Sequence, residues 1–101
     1  MPPFFQVMKV KVKLFTLLRL EFGVSEVELE FEKEPVSLKE VLHELSKRFG
    51  EKFLSKLVEN ENLKVGTIIL KNGKNVLELD GINTLVQDGD ELSLFPPGGG
   101  G

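Results

Sequence analysis

The sequence has no cysteine and a single histidine, His43. Without thiols there is no disulfide framework, thiolate zinc site or thiol nucleophile, and one imidazole supplies too few soft ligands for a transition-metal centre. Long apolar runs are also missing. The stretch from Leu14 to Leu20 is interrupted by Arg19 and falls well short of the ~20 residues of a membrane-spanning helix. A basic excess is lacking too: 13 Lys+Arg against 16 Asp+Glu give a formal charge of -3, the wrong sign for holding a phosphate backbone. The opening Met-Pro-Pro-Phe-Phe-Gln-Val has neither the basic start nor the small-residue cleavage site of a secretory signal, so a cytoplasmic location is expected. What is present, 41% hydrophobic and 29% charged residues in a chain of 101, suits one globular domain able to bury about two thirds of its unfolded surface.

Periodicity orders the chain. From Met8 to Phe15 lysines alternate with apolar residues, which predicts a half-buried strand with Met8, Val10, Val12 and Leu14 inward. Ser25 to Glu32 repeats the pattern with glutamates, so antiparallel pairing would set a lysine row beside a glutamate row. Ser37 and Glu40 have the offset of a capping box, and Leu38, Val41, Leu42, Leu45 and Phe49 form one apolar stripe, so a helix is expected up to a left-handed cap at Gly50. A weaker helical stretch spans Glu51 to Val58, and Glu59 to Asn62 reads as loop. Thr67 to Lys71 reads as a strand, Asn72-Gly73 as a tight hairpin turn, Val76 to Leu79 as a short edge strand and Glu91 to Phe95 as the last strand. The sum is an α+β layer: a mixed sheet packed against one main helix. Residues 1–7 form an N-terminal extension of unknown role, an alternative start or a cloning remnant; 8–97 make up the domain and 98–101 a flexible glycine tail.

Most candidate motifs fail. His43 is followed by no second histidine four residues on, Gly66 and Gly73-Lys74 have the wrong spacing for a phosphate loop, and Asp88-Gly89-Asp90 lacks the ligand pattern of a calcium loop. The lysine row of the first strand is a solvated face. Phe15 and Phe95 are different, because strand parity turns both outward; if the first and last strands are neighbours, the two rings form one patch. Beyond Phe95 the chain runs Pro96-Pro97-Gly98-Gly99-Gly100-Gly101. Pro-Pro cannot continue a ladder and lifts the end off the sheet, and four glycines at up to ~3.5 Å each reach roughly 14 Å into a channel too narrow for Cβ atoms. Composition leaves two readings open. The end is an inert tail, or its carboxylate, ionised at neutral pH, is a nucleophile for the α-phosphate of ATP.

Asp88-Gly89-Asp90-Glu91-Leu92-Ser93-Leu94-Phe95-Pro96-Pro97 with the terminal Gly100-Gly101 resembles the MoaD family, the small subunit of molybdopterin synthase. Phe15-Thr16-Leu17-Leu18-Arg19 resembles the F-x-x-x-R opening of that family. The resemblance spans nearly all of residues 8–101 and implies a ubiquitin-like β-grasp fold. It further implies a sulfur carrier with no cofactor of its own. A MoeB-type activating enzyme would use ATP to adenylate Gly101, and the terminus would become a thiocarboxylate. That terminus would enter a MoaE-type large subunit and give sulfur to cyclic pyranopterin monophosphate. By the same resemblance Gly98, Gly99 and Gly100 thread the channel, Phe15, Phe95, Pro96 and Pro97 meet the partner, and Arg19 occupies the family arginine with a role left open. The sequence departs from the family at Gly98 and Gly99, where bulkier residues are usual, and at Leu20, where an acidic residue is usual. The alternatives are a ubiquitin-like modifier joined to lysines through Gly101, a carrier for a thiamin-type precursor, and an interaction domain with an inert tail.

Overall fold

The computed structural model describes residues 7–98. Strand β1, Met8–Leu14, pairs antiparallel with β2, Glu26–Phe31, in the register Lys9 to Glu30, Lys11 to Glu28 and Lys13 to Glu26. The lysine row does face the glutamate row, with Lys11 Nζ 3.9 Å from Glu26. Such exposed pairs are worth at most ~1 kcal/mol each, so the opposite face dominates: Met8, Val10, Val12, Leu14, Val27 and Leu29 are all buried. Strand β3, Val36–Ser37, leads directly into helix α2, Leu38–Phe49. Its N-terminus is closed by the expected capping box: the Glu40 amide donates to Ser37 Oγ at 3.1 Å and the Ser37 amide to Glu40 Oε2 at 2.8 Å. Leu38, Val41, Leu42 and Leu45 are fully buried, and the helix covers one face of the sheet.

The remaining strands are β4, Val58–Glu59; β5, Asn62–Leu63; β6, Ile68–Lys71; β7, Lys74–Asn75; β8, Leu85–Val86; and β9, Glu91–Phe95. The main sheet has the order β2-β1-β9-β6-β7, with β9 parallel to β1 and antiparallel to β6. This is the ubiquitin-like β-grasp arrangement, a mixed sheet gripping one long helix. Asn72 and Gly73 carry φ of 51° and 87°, as the tight hairpin between β6 and β7 requires.

One element is new and four local expectations are corrected. Thr16–Phe22 forms a short helix, α1, which alternation does not reveal; Gly23 ends it in a left-handed conformation with its amide bonded to Arg19 O. Gly50 has positive φ but an extended ψ of 164°, so it makes a corner rather than a left-handed cap. Its amide closes α2 on Ser46 O, and its carbonyl accepts from Phe53 N to open α3, Glu51–Ser55. That second helix is shorter than the stretch Glu51 to Val58 because Val58 joins β4. The expected loop Glu59 to Asn62 is a tight hairpin, with Asn60 and Glu61 at φ 53° and 67° between β4 and β5. Val76 to Leu79 is no strand: Asn75 Oδ1 accepts from the Leu77 amide at 2.9 Å and Leu79 N bonds Val76 O, winding Val76–Glu78 into a 3-10 turn. A second such turn, Gly81–Asn83, precedes β8, which pairs with β3 in a ribbon apart from the main sheet.

Candidate functional site

The C-terminal strand lies in the middle of the sheet because its neighbours hold it from three sides. Asp88 Oδ1 accepts the Lys9 amide at 2.8 Å, and Gly89, at φ +86°, donates to Lys9 O. Asp90 accepts from the Gln87 amide at 2.7 Å and from Asn72 Nδ2 at 2.8 Å, tying the turn to the Asn72-Gly73 hairpin. The carboxylates of Asp88 and Asp90 are thus occupied by backbone and amide donors, Asp90 also lying 3.9 Å from Lys71 Nζ. Among the described residues no cluster of three or more acidic or histidine side chains could hold a metal. The Asp-Gly-Asp string acts by placing β9 parallel to β1 in one register.

That register decides where the aromatic residues stand. Leu92 and Leu94 enter the core, while Phe95 projects from the outer face beside Phe15, whose amide continues the ladder onto Leu94 O at 3.1 Å. The two rings stack with centroids 4.5 Å apart and planes 9° from parallel. Each is half-buried, and the stacking is worth about 0.5–1.5 kcal/mol beyond its area. Across the other ladder Phe95 pairs with Ile68, which is 43% exposed, so the apolar row crosses three strands. Sequence reasoning overlooked Ile68, although the alternation that buries Ile69 already turned it outward.

The tail starts from this row. Pro96 and Pro97 form one wall of an open groove of about 430 Å³, opposite Leu17, Leu18 and Leu20 of α1 and edged by Lys56 and Lys64. Gly66 stands behind Pro97: a Cβ there would meet Pro97 Cβ at 3.4 Å, and φ is +94°. Two apolar side chains around the tail root are conspicuously wet, Leu20 at 79% and Val65 at 98% exposure. Near the groove, Glu21 bridges Lys56 at 3.1 Å and Lys52 at 3.3 Å, and the Lys56 hydrogen bond above all holds its carboxyl below the usual carboxylate range. Gly98 is exposed, and a Cβ there would touch nothing within 4 Å. Gly99, Gly100 and Gly101 lie outside the described residues. Arg19 sits exposed on α1, apart from the residues lining the groove. His43 is exposed on α2, as expected for a solvated side chain.

The notable features therefore gather at one end of the molecule, where an apolar rim surrounds the root of a terminal glycine run. A β-grasp domain built this way belongs to the ubiquitin-like class. The chain belongs to the ThiS family, which it matches over residues 12–101, and is thereby a ubiquitin-like sulfur carrier or modifier. It is 30% identical to small archaeal modifier protein 3 of Haloferax volcanii over 94 residues, 93% of this chain and 100% of that one. A candidate molybdopterin converting factor subunit 1 from Pyrococcus furiosus superposes with a TM-score of 0.70 at 33% identity, covering 89% of this chain and 98% of that structure. The BexX/CysO complex of Amycolatopsis orientalis contains a chain that superposes with a TM-score of 0.74 at 27% identity, covering 91% and 99%. No helix among the described residues is long and apolar enough to cross a membrane.

Proposed function

We propose that this protein is the sulfur-carrying small subunit of a molybdopterin synthase. The Gly101 carboxylate attacks the α-phosphate of ATP in a MoeB-type enzyme, pyrophosphate leaves, and a sulfur donor displaces AMP to give a thiocarboxylate. The tail then enters a MoaE-type large subunit, and its sulfur passes to cyclic pyranopterin monophosphate. ATP belongs to the activating enzyme, and this chain binds no cofactor of its own. The reaction takes place in the cytoplasm. The observation that carries this reading is the stacked Phe15–Phe95 pair at the foot of Pro96 and Pro97, an apolar rim next to the glycine run in sequence. The likeness to the Pyrococcus furiosus protein supports the same assignment. Phe15, Phe95, Pro96 and Pro97 seat the partner, the exposed Arg19 of α1 is a further partner contact whose role is left open, and Gly98, Gly99 and Gly100 carry the terminus inward without Cβ atoms.

A second reading, conjugation to lysines through Gly101, is favoured by the full-length match to small archaeal modifier protein 3. Mass spectrometry after incubation with ATP, an activating enzyme and a sulfur donor separates the two. Oxygen-to-sulfur exchange at the terminus, followed by sulfur delivery to the pterin with a large subunit, supports the synthase. Lysine-branched peptides ending in Gly-Gly, with no delivery to the pterin, support the modifier. Removing Gly101 is expected to abolish activation and leave thermal stability unchanged, and a truncated chain that still accepts sulfur would overturn both readings.

A further inference from the structure

A second apolar groove, of about 550 Å³, lies on the opposite side of the molecule from the sheet's outer face. Phe31, Leu42, Leu54, Val58 and Ile82 form its walls, between α2, the hairpin β4–β5 and the 3-10 turn Gly81–Asn83. Its size is that of a ligand pocket. The charges on its rim balance, with Lys33, Lys39 and Lys47 against Glu40, Glu44 and Glu61; Lys33 Nζ lies 2.7 Å from Glu40 Oε1, and Lys47 Nζ lies 3.7 Å from Glu44 Oε1. A rim neutralised in this way exerts little pull on a charged partner and suits an occupant without charged side chains.

The chain contains such a segment. Residues 1–6, Met-Pro-Pro-Phe-Phe-Gln, carry no charged side chain and hold two adjacent phenylalanines. They precede β1, whose first residue Met8 pairs across the ladder with Phe31, itself a wall of the groove. Six residues reach up to ~20 Å, whereas the helix surface from Lys39 to Lys47 along the groove spans about 12 Å. The rings of Pro2 and Pro3 each fix one backbone dihedral covalently, which lowers the entropy lost on docking.

We propose that the N-terminal segment folds back over α2 and seats Phe4 and Phe5 in this groove, covering apolar surface that the domain leaves open. The docking is independent of the chemistry at Gly101, so the two proposals fail separately. It is tested by NMR on the full-length chain beside a Phe4→Ala/Phe5→Ala variant and a chain starting at Val7. Ring-proton contacts from Phe4 or Phe5 to the methyls of Leu54 and Val58 are expected, unchanged on tenfold dilution. Both altered chains should lose the ring-current shifts of those methyls and gain 1-anilinonaphthalene-8-sulfonate fluorescence. Leu54 and Val58 methyl shifts identical in all three proteins would overturn the proposal. Contacts that disappear on dilution would do so too, because they would identify a second copy as the occupant.

Discussion

Gly66 illustrates how a single backbone position supports the site. Its φ of +94° lies where L side chains are strained, and its Cα faces Pro97 closely enough that an added methyl would touch the ring at 3.4 Å. The touch itself is ordinary contact, so the cost of a side chain there comes from the backbone. Gly66→Ala is expected to lower stability by about 1–2 kcal/mol, read as a lower urea midpoint with an unchanged slope. An unchanged midpoint would mean that the loop between β5 and β6 relaxes freely and does not brace the tail root. Gly98, by contrast, faces open space and has no such packing duty.

At the scale of elements, α2 depends on the box at its N-terminus, and that box is sensitive to acid. The carboxyl of Glu40 is held below the usual carboxylate range, first by the hydrogen bond from Lys33 and next by the Ser37 amide. Glu21 is shifted in the same direction by Lys56, and then by Lys52, where α1 meets α3. A group whose folded pKa is lowered contributes stability above its unfolded value, near 4.3 for Glu, and loses it as the pH falls through the folded value. The melting temperature is therefore expected to drop as the pH is taken from about 5 towards 3. Glu40→Gln should flatten that drop without abolishing it, since Glu21 remains. An identical pH profile for the variant would show that the box contributes nothing through ionisation. Elsewhere the elements are joined by aromatic packing: Phe53, fully buried, lies 5.1 Å from Phe22 and 5.4 Å from Phe49, binding α1, α2 and α3 into one cluster.

For the molecule as a whole, the two ends of the outer sheet face have different characters. The β1–β2 end is a lattice of lysines and glutamates, which keeps an edge hairpin wet and discourages self-pairing. The end at β9 and β6 is apolar, with Phe15, Phe95 and Ile68 in a row beside the departing tail. Aromatic anchors at the centre of an interface contribute a disproportionate share of its energy. Under the proposed function, Phe95→Ala is expected to weaken binding to a MoaE-type large subunit by about tenfold or more in titration calorimetry. The same change at Leu77, exposed in the 3-10 turn Val76–Glu78, should leave affinity unaltered. Equal affinities for both variants would remove the aromatic row from the docking surface.

Local pattern alone determined a good deal of this protein. The period of two in Met8–Leu14 and Glu26–Phe31, the Ser37–Glu40 box with its stripe, and Asn72-Gly73 are short-range signals, because each depends on neighbours a few residues apart. Parity likewise turned Phe15 and Phe95 outward before any partner strand was known. Other features depend on contacts far along the chain. That the two rings stack follows from β9 lying parallel to β1, with Lys11 opposite Glu91, a pairing set by burial of Leu92 and Leu94 under α2. Helix α1 has apolar residues on nearly every side, and only packing of Leu18 against the core chooses its inward face. The seat of the tail, from Gly66 behind Pro97 to the wet Leu20 and Val65, was likewise decided in three dimensions: sequence periodicity reports which side a residue faces, and only the packed chain reports what stands next to it.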